Sequence, residues 1–289
     1  MRRLIFSSRL KSQLSFLAAV LTAATASVCF ARPLDEVMAA KSLRVIAYLD
    51  NAPFSWEADG KSKGIDVDLG RAIARELGVE SEVILRMQGE NEDDDLRGNV
   101  WRGPLTGGGV GDIMMHVPVD KEFALRNKEA VIGNPYYQER VAVAIHPELT
   151  GENPIFDVFK DKKISVQIGT VSDYFLMTYQ DGALIENIAH HVKPAVGAKE
   201  FASKDTAAWM GVRSAIEALL HDNGTKATFV EPPMDGIVRS NWIVGMAWKE
   251  NSRDLGYAMQ AALEKIRQSG ELERIFAAYG VSYTPPPVP

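Results

Sequence analysis

The segment SLRVIAYLDNAPFSW, residues 42–56, opens the pattern that decides the fold. Its apolar, partly β-branched run is typical of a buried strand, and the breaker-rich DNAPF follows as a loop. After a turn rich in glycine and lysine, IDVDLGRAIARELG, residues 65–78, carries apolar residues at helical spacing and ends at a glycine. EVILRM, residues 82–87, then resumes a strand. A strand, a helix and a strand in this order predict an α/β fold with parallel pairing.

The N-terminal residues form a separate pattern. Basic residues come first, and an apolar run rich in small residues follows over residues 14–30. This pattern predicts a cleavable secretory signal peptide over residues 1–31, with cleavage after Ala26 as the alternative site. An uncleaved anchor is the competing interpretation, but Ala, Thr and Ser dilute the apolar character of the run. We therefore expect a periplasmic protein.

The mature chain is acidic and free of cysteine. Cys29 is the only cysteine, so removal of residues 1–31 excludes disulfides, thiolate metal sites and cysteine nucleophiles. The 32 Lys and Arg lose the four in this segment and become 28, against 38 Asp and Glu, which gives a net charge of −10. Such a surface argues against nucleic acid or anionic lipid as a partner. No second apolar stretch reaches spanning length, so we expect a mature form that is not membrane-embedded.

Candidate binding groups follow predicted strands. In GDIMMHVPVDKEFALRN, residues 111–127, the strand DIMMHV delivers His116 to its carboxyl end, where open parallel sheets bind ligands, and the next helix carries Arg126. Gly169 and Thr170 precede a predicted helix, whose first N–H groups bind anions by geometry and dipole. Glu231 follows the strand in KATFVEPP. The plainer alternatives are a surface ion pair for Arg126, a simple turn for Gly169 and a loop charge for Glu231.

Three other segments carry structural predictions. Residues 88–111 form an acidic stretch, which we interpret as a solvated loop rather than a calcium site because it lacks the alternating ligand spacing of a calcium loop. AAWMGVRSAIEALLHDNG, residues 207–224, predicts one amphipathic helix. Residues 255–279 predict two helices separated at Ser269 and Gly270, and the TPPP tail after them predicts an unstructured end.

The chain resembles the amino-acid type, family 3, of bacterial periplasmic solute-binding proteins. The resemblance is carried, in family order, by LRVIAYLDNAPFSW, DGKSKGIDVDLGRAIARELG, GDIMMHV, Arg126 to NPYY, KDKKISVQIGT and VGMAWKENSRDLGYAMQAALEKIRQSGELERIFAAYG. It implies a type II fold of two α/β lobes, joined by two crossing strands and closing around a small solute for an ABC-type importer. The expected division is a first lobe of residues 32–138 and 243–289 and a second lobe of residues 139–242.

The resemblance also implies roles for single residues. Arg126 matches the arginine that binds the ligand carboxylate, and Glu231 matches the usual aspartate that binds its ammonium group. The loop at Gly169 and Thr170 matches the anion loop of the second lobe. Phe54 or Tyr48 would form the aromatic wall beside the ligand. The plainer alternative is that Phe54 is an ordinary core residue.

Departures from the family pattern argue against an ordinary α-amino-acid ligand. Phe123 replaces a threonine that normally lies three residues before the arginine, and two extra residues separate Asp112 from Arg126. His116 and Pro118 occupy positions where small or flexible residues are typical. A polar or anionic, amino-acid-like solute is the expected ligand class.

Two other functions compete with transport. The chain also resembles the binding-protein-like accessory proteins of periplasmic quinoprotein alcohol dehydrogenases, including the J protein of methanol dehydrogenases, which implies a dehydrogenase partner in place of a permease. Periplasmic dehydratases share the fold, and His116 with Glu231 would then be the acid and base. Because the sequence holds no catalytic triad, metal cluster or cofactor motif, we predict a non-enzymatic protein without cofactor or metal.

Overall fold

The computed structural model describes residues 31–105, 107–236 and 239–287. The predicted signal peptide, apart from its last residue Ala31, lies outside these residues, as does Cys29. Across the part of the chain that is described, no helix is both long enough and apolar enough to cross a bilayer.

The first lobe begins with the strand and helix order that the sequence predicts. Its elements are α1 (Leu34–Ala40), β1 (Ser42–Tyr48), β2 (Asp50–Asn51), β3 (Ser55–Ala58), β4 (Lys61–Lys63), α2 (Ile65–Leu77), β5 (Glu80–Arg86), α3 (Glu92–Leu96), β6 (Ile113–Pro118) and α4 (Lys121–Arg126). Strand β1 pairs in parallel with both β5 and β6. The predicted α/β fold is therefore confirmed.

A long strand, β7 (Ala130–Ile145), leads into the second lobe. The elements that follow it are α5 (Pro147–Thr150), β8 (Ile164–Gln167), α6 (Val171–Thr178), β9 (Ile188–His191), α7 (Pro194–Ala202), β10 (Ala208–Val212), α8 (Arg213–Asp222) and β11 (Thr228–Val230). Strand β12 (Asn241–Lys249) returns to the first lobe, where α9 (Arg253–Gln268) and α10 (Glu271–Ala277) complete the helical layer.

Two strands connect the lobes. Within the described residues, nine strands form one hydrogen-bonded sheet in the order β5-β1-β6-β12-β7-β10-β8-β9, with β11 paired to β7. The part of β7 up to Arg140 pairs with β12, whereas the part from Val141 onward pairs with β10. The lobe boundaries predicted after residues 138 and 242 thus fall inside these two strands, and the exact division stays a prediction.

Each lobe has its own apolar core. The larger core lies between α2, α9, α10 and the first-lobe strands, and a second core lies between α6 and the strands β7, β8 and β10. Trp242, near the start of β12, packs against both cores. The crossing strands therefore link two lobes that each have a core of their own.

The predicted helix over residues 207–224 is wrong in its first turns. Residues Ala208–Val212 form strand β10, and helix α8 begins only at Arg213. The strand pairs with β7 along its whole length and with β8 over its first three residues, so its backbone groups are hydrogen-bonded within the sheet. The run AWMGV is short and apolar, and periodicity alone does not separate strand from helix in such a run.

The C-terminal tail has no helix or strand over residues 281–287, as predicted, but its first part is held against the fold. The amide of Gln138 in β7 donates to the carbonyl of Thr284 at 3.0 Å, and the amide of Ser282 donates to Oε2 of Glu217 in α8 at 2.8 Å. The ring of Tyr283 packs against Phe276 at a centroid distance of 5.2 Å. The C-terminal segment therefore lies along the crossing strand and contacts the second lobe.

Candidate functional site

The carboxyl end of β6 carries a buried hydrogen-bond network. His116 has a left-handed backbone, with φ of 60°. Its Nδ1 lies 3.1 Å from Oδ2 of Asp66, and its backbone amide donates to the Tyr136 hydroxyl at 3.2 Å. Tyr136 in turn donates to the other oxygen of Asp66, which is fully buried. This left-handed backbone is strained for a histidine, and Asp66 and Tyr136 contact the residue from two sides. The orientation of the side chain is therefore fixed by its neighbours.

Phe54 lies directly beneath this histidine. The two ring centroids are 4.3 Å apart, and Phe54 also contacts Tyr137 and Phe276 of the first-lobe core. The side chain is 3% exposed. The structure thus brings two of the predicted site residues, Phe54 and His116, into contact, with Phe54 supporting the histidine from the core side.

Tyr48 lies at the carboxyl end of β1 and is buried. Its hydroxyl donates to Oδ2 of Asp95 at 2.8 Å, and the amide of Gly89 donates to Oδ1 of the same carboxylate at 2.7 Å. Burial raises the pKa of the Asp95 carboxyl, although these two hydrogen bonds oppose the shift. The tyrosine therefore anchors the acidic segment to the sheet.

The acidic segment, predicted to be a loop, forms a short helix instead. Asn91 caps α3 by accepting the amide of Asp94 at 2.9 Å, and a π turn, Arg97–Trp101, follows the helix. The carboxylates of Asp93, Asp94 and Asp95 accept hydrogen bonds from groups of the same lobe. Among the described residues, no group of three or more His, Cys, Asp or Glu has the geometry to hold a metal ion.

Arg126, the predicted carboxylate anchor, lies at the end of α4 with 58% of its side chain exposed. Its guanidinium is 3.4 Å from Asp93 and lies over the ring of Phe123, 5.5 Å from the centroid. Phe123 is buried and therefore forms a platform for the arginine rather than a hydrogen-bond partner for a ligand. An exposed pair of this kind is weak, so the guanidinium is available to a competing anion.

The loop at Gly169 and Thr170 makes its hydrogen bonds within the loop and the helix that follows. The amide of Gly169 donates to Oδ2 of Asp173 at 2.8 Å, and Thr170 Oγ1 accepts the amide of Asp173 at 3.2 Å. The other oxygen of Asp173 contacts Nε2 of His190 at 2.9 Å. Asp173 thus occupies part of the donor set that the sequence assigns to a ligand anion.

Glu231, the predicted ammonium-binding residue, pairs with two arginines. Its Oε1 is 3.1 Å from Nη1 of Arg140 in β7 and 3.3 Å from Nη1 of Arg213 at the start of α8. Arg213 also contacts Glu217 at 2.9 Å. This cluster stabilises the junction of the crossing strand with the second lobe, and the role of Glu231 in binding a ligand stays a prediction.

A cavity of about 180 Å³ lies on the second lobe at the carboxyl ends of β8 and β10. Open α/β sheets bind ligands at this edge. Residues from both helix starts and from the return segment contribute to its lining: Val141, Gln167, Thr170, Val171, Ser172, Pro194, Trp209, Met210, Gly211, Val212, Ala215, Ile216, Arg239 and Trp242.

Sequence reasoning found Thr170 at this cavity but missed its main walls. From the sequence, Trp209, Met210 and Val212 are predicted to lie in a helix. In the structure they belong to β10, which lies between β7 and β8 and ends at the edge of the sheet where the cavity lies. A strand interpretation of AWMGV, ending at Val212 just before a helix start, would have placed them at the ligand-binding edge.

Solved structures share the architecture over nearly the whole described chain. An ancestral cationic amino acid solute-binding protein has a TM-score of 0.65 and 22% identity, covering 86% of this chain and 99% of its own. The substrate-binding protein of a polar amino acid ABC uptake transporter from Streptococcus thermophilus has a TM-score of 0.69 and 14% identity, covering 87% and 90%. An ancestral cyclohexadienyl dehydratase has a TM-score of 0.54 and 20% identity, covering 85% and 95%.

No protein-family model matches the sequence, and no curated protein shows significant similarity to it. The structural similarities establish the architecture: the chain has the two-lobed fold of the periplasmic binding proteins. The predicted fold class is thereby confirmed.

Proposed function

We propose that this chain is an extracytoplasmic solute-binding protein, which captures a small polar or anionic, amino-acid-like solute between its two lobes. The observation that carries the proposal is the pair of crossing strands, β7 and β12, which join two separately packed lobes. Two of the similar structures are named as amino acid binding proteins, one of them belonging to an ABC uptake transporter. We infer the same role here, with an ABC-type permease as the partner and the periplasm as the location.

Lobe closure would provide the signal to the permease. A solute that contacts both lobes binds the closed form better than the open form, so it shifts the hinge equilibrium toward closure. On the first lobe, the predicted contacts are Arg126 for an anionic group and His116, held by Asp66, for a hydrogen bond. On the second lobe they are Thr170 and Glu231.

Binding fits the side chains better than catalysis does. An acid and base pair of His116 and Glu231 needs a carboxylate that is free to exchange a proton with the substrate. The carboxylate of Glu231 is instead held in ion pairs with two arginines, Arg140 and Arg213. We therefore propose a receptor rather than an enzyme, although one similar structure is an ancestral dehydratase. No observation favours the dehydrogenase-accessory function, which stays an unsupported prediction.

A thermal-shift screen of residues 32–289 tests the proposal. Amino acids, small carboxylates, sulfonates and polyamines are the probes, because a ligand at 100 times its Kd stabilises a protein by about 2.7 kcal/mol. A saturable rise in Tm with one class is the expected result; a smaller rise in Arg126→Ala would assign the anionic group of the solute to Arg126, and an unchanged rise would assign it to another cation. Arg71→Ala is the matched control, since Arg71 is an exposed arginine paired with Asp68 on α2. A screen without any saturable shift would contradict a solute receptor.

A further inference from the structure

The second-lobe cavity has a composition that selects its occupant. Apolar side chains dominate the lining, with two indole rings, Trp209 and Trp242, among them. The uncharged polar residues are Gln167, Thr170 and Ser172. Among the lining residues, all of which the structure describes, Arg239 is the one charged group, and no carboxylate is present.

The volume limits what can enter. An engineered cavity of about 150 Å³ with apolar walls binds benzene, so the 180 Å³ here accommodates one ring or a branched aliphatic group. Drug-sized ligands need about 300 Å³ or more. The cavity therefore receives one apolar group, and the rest of the solute must lie toward the first lobe.

The charge of Arg239 indicates which chemical group the other end of the solute carries. Arg239 is 55% exposed at the cavity and uses one N–H donor on Oδ2 of Asp120, at 2.9 Å. A guanidinium has five N–H donors in a planar fork, which suits a carboxylate. Asp120 caps α4 of the first lobe, so the mouth of the cavity faces that lobe. A cationic solute would meet Arg239 without a compensating carboxylate in the lining.

The surface beside the cavity is apolar as well. Ile168 and Val171 are each 54% exposed and Val192 is 75% exposed, and these residues follow the ends of β8 and β9 or begin α6. The backbone joins the two strand ends, because the amide of Ile168 donates to the carbonyl of His191 at 3.0 Å. Exposed apolar side chains grouped at a ligand-binding edge are expected where an apolar ligand is covered on closure.

We propose that the solute is a small carboxylate with an apolar body, a single aromatic ring or a branched aliphatic chain. The body fills the cavity between Trp209 and Trp242, and the carboxylate binds Arg239. This assignment rests on the proposed solute-binding function and specifies its ligand class. It differs from the cationic amino acid for which one of the similar structures is named.

Gly211 offers a direct way to fill the cavity. It lies in β10, and a Cβ added there would meet Cδ1 of Ile216 at 3.4 Å, an ordinary van der Waals contact. Gly211→Ala and Gly211→Val therefore remove cavity volume in two steps at a position that has room for the added atoms. A β-branched residue also suits a strand.

Tryptophan fluorescence reports binding, because Trp209 and Trp242 are two of only five tryptophans. The probes are phenylacetate and isovalerate, with L-arginine and L-glutamine as comparisons. We expect saturable quenching by the two apolar carboxylates and at least tenfold weaker binding in Gly211→Val and in Arg239→Gln. Arg71→Gln is the matched control: it changes an exposed arginine of α2 that does not line the cavity, so binding is retained.

The outcomes separate this inference from the proposed function. Saturable binding of L-arginine or L-glutamine that is unchanged in Gly211→Val overturns the cavity assignment and leaves the solute-binding function in place. Apolar carboxylate binding unchanged in both Gly211→Val and Arg239→Gln also overturns it. If none of the probes binds, the assignment fails, and the thermal-shift screen decides the proposed function separately. Thermal unfolding of each variant without ligand verifies the fold, and Arg239→Gln provides the test alone if Gly211→Val does not fold.

Discussion

Asp112, a fully buried carboxylate, organises the start of the first lobe. It accepts hydrogen bonds from Arg32 at 2.6 and 3.0 Å and from the amide and guanidinium of Arg44 at 2.8 and 2.9 Å. Burial opposes ionisation of this carboxyl, but the hydrogen bonds from the two arginines outweigh it and lower the pKa of Asp112. The side chain therefore stays charged and connects β1 to the segment before β6.

Asp112→Ala is expected to lower the free energy of unfolding by about 3–5 kcal/mol, because it removes the buried carboxylate that Arg32 and Arg44 share. Urea unfolding followed by circular dichroism measures the change. Asp59→Asn is the control: Asp59 is exposed and 3.8 Å from Lys63, and a pair of this kind contributes about 1 kcal/mol or less. Equal effects of the two substitutions would contradict the role of Asp112.

Glu139 predicts a pH dependence. This buried residue of β7 accepts hydrogen bonds from Ser214 Oγ and from the amide of Arg140, while burial raises the pKa of its carboxyl. A raised folded-state pKa means that the stabilisation is complete below the unfolded-state pKa and is lost as pH rises through the folded-state value. Glu139→Gln is therefore expected to lose less stability than the parent chain as pH rises from 4 to 8, measured by urea unfolding.

Glu264 provides the opposite case as a control. Its side chain hydrogen-bonds Gln268 and Arg267, which lower the pKa of its carboxyl. Its stabilisation is present above the unfolded-state pKa and is lost as pH falls, so Glu264→Gln should differ from the parent in the opposite sense. Identical pH profiles for the parent and Glu139→Gln would rule out the role assigned to Glu139.

Residue types near strand ends could be predicted from the sequence, but their partners could not. His116 was expected at a cleft because it ends an apolar strand, and it does lie at the end of β6. Its contact with Asp66 joins residues fifty positions apart, and from the sequence Asp66 is only one of the residues in the helix predicted over 65–78. The same limit applies to Arg126 and Glu231, whose charges were evident while their opposing charges, Asp93, Arg140 and Arg213, depend on tertiary packing.

At the scale of elements, long periodic segments were predictable and short apolar ones were not. Helices α2, α9 and α10 occur where apolar spacing, acidic first turns and a glycine stop indicate them. The prediction for AWMGV was wrong because five apolar residues next to a helix are compatible with either a helix or a strand. The hydrogen bonds of neighbouring strands decide between the two. Because of that error, the residues that form the walls of the second-lobe cavity were missing from the predicted site.

The C-terminal segment makes a testable contribution. Deleting residues 282–289 removes the hydrogen bonds of Ser282 and Thr284 and the packing of Tyr283, about 3–5 kcal/mol in total. At about 2–4 °C per kcal/mol for a chain of this size, Tm should fall by about 10 °C. Scanning calorimetry measures the shift. Deletion of residues 287–289 is the control, and an unchanged Tm in the longer deletion would mean that the tail does not stabilise the fold.

At the scale of the whole molecule, two packed lobes share the strands β7 and β12. Trp242 contacts both cores and also lines the second-lobe cavity, while Arg239 pairs with Asp120 of the first lobe. A solute in that cavity would therefore contact the segment that connects the lobes. For the receptor proposed above, this contact would link ligand binding to hinge closure.

The central claim is that the chain captures one small molecule between its lobes. Isothermal titration calorimetry tests it, using residues 32–289 and the solute that gives the largest rise in Tm. We predict saturable binding of one solute per chain, with a negative heat-capacity change because closure buries apolar surface. A titration without saturable heat at several temperatures, or a stoichiometry that exceeds one, would contradict a two-lobed solute receptor.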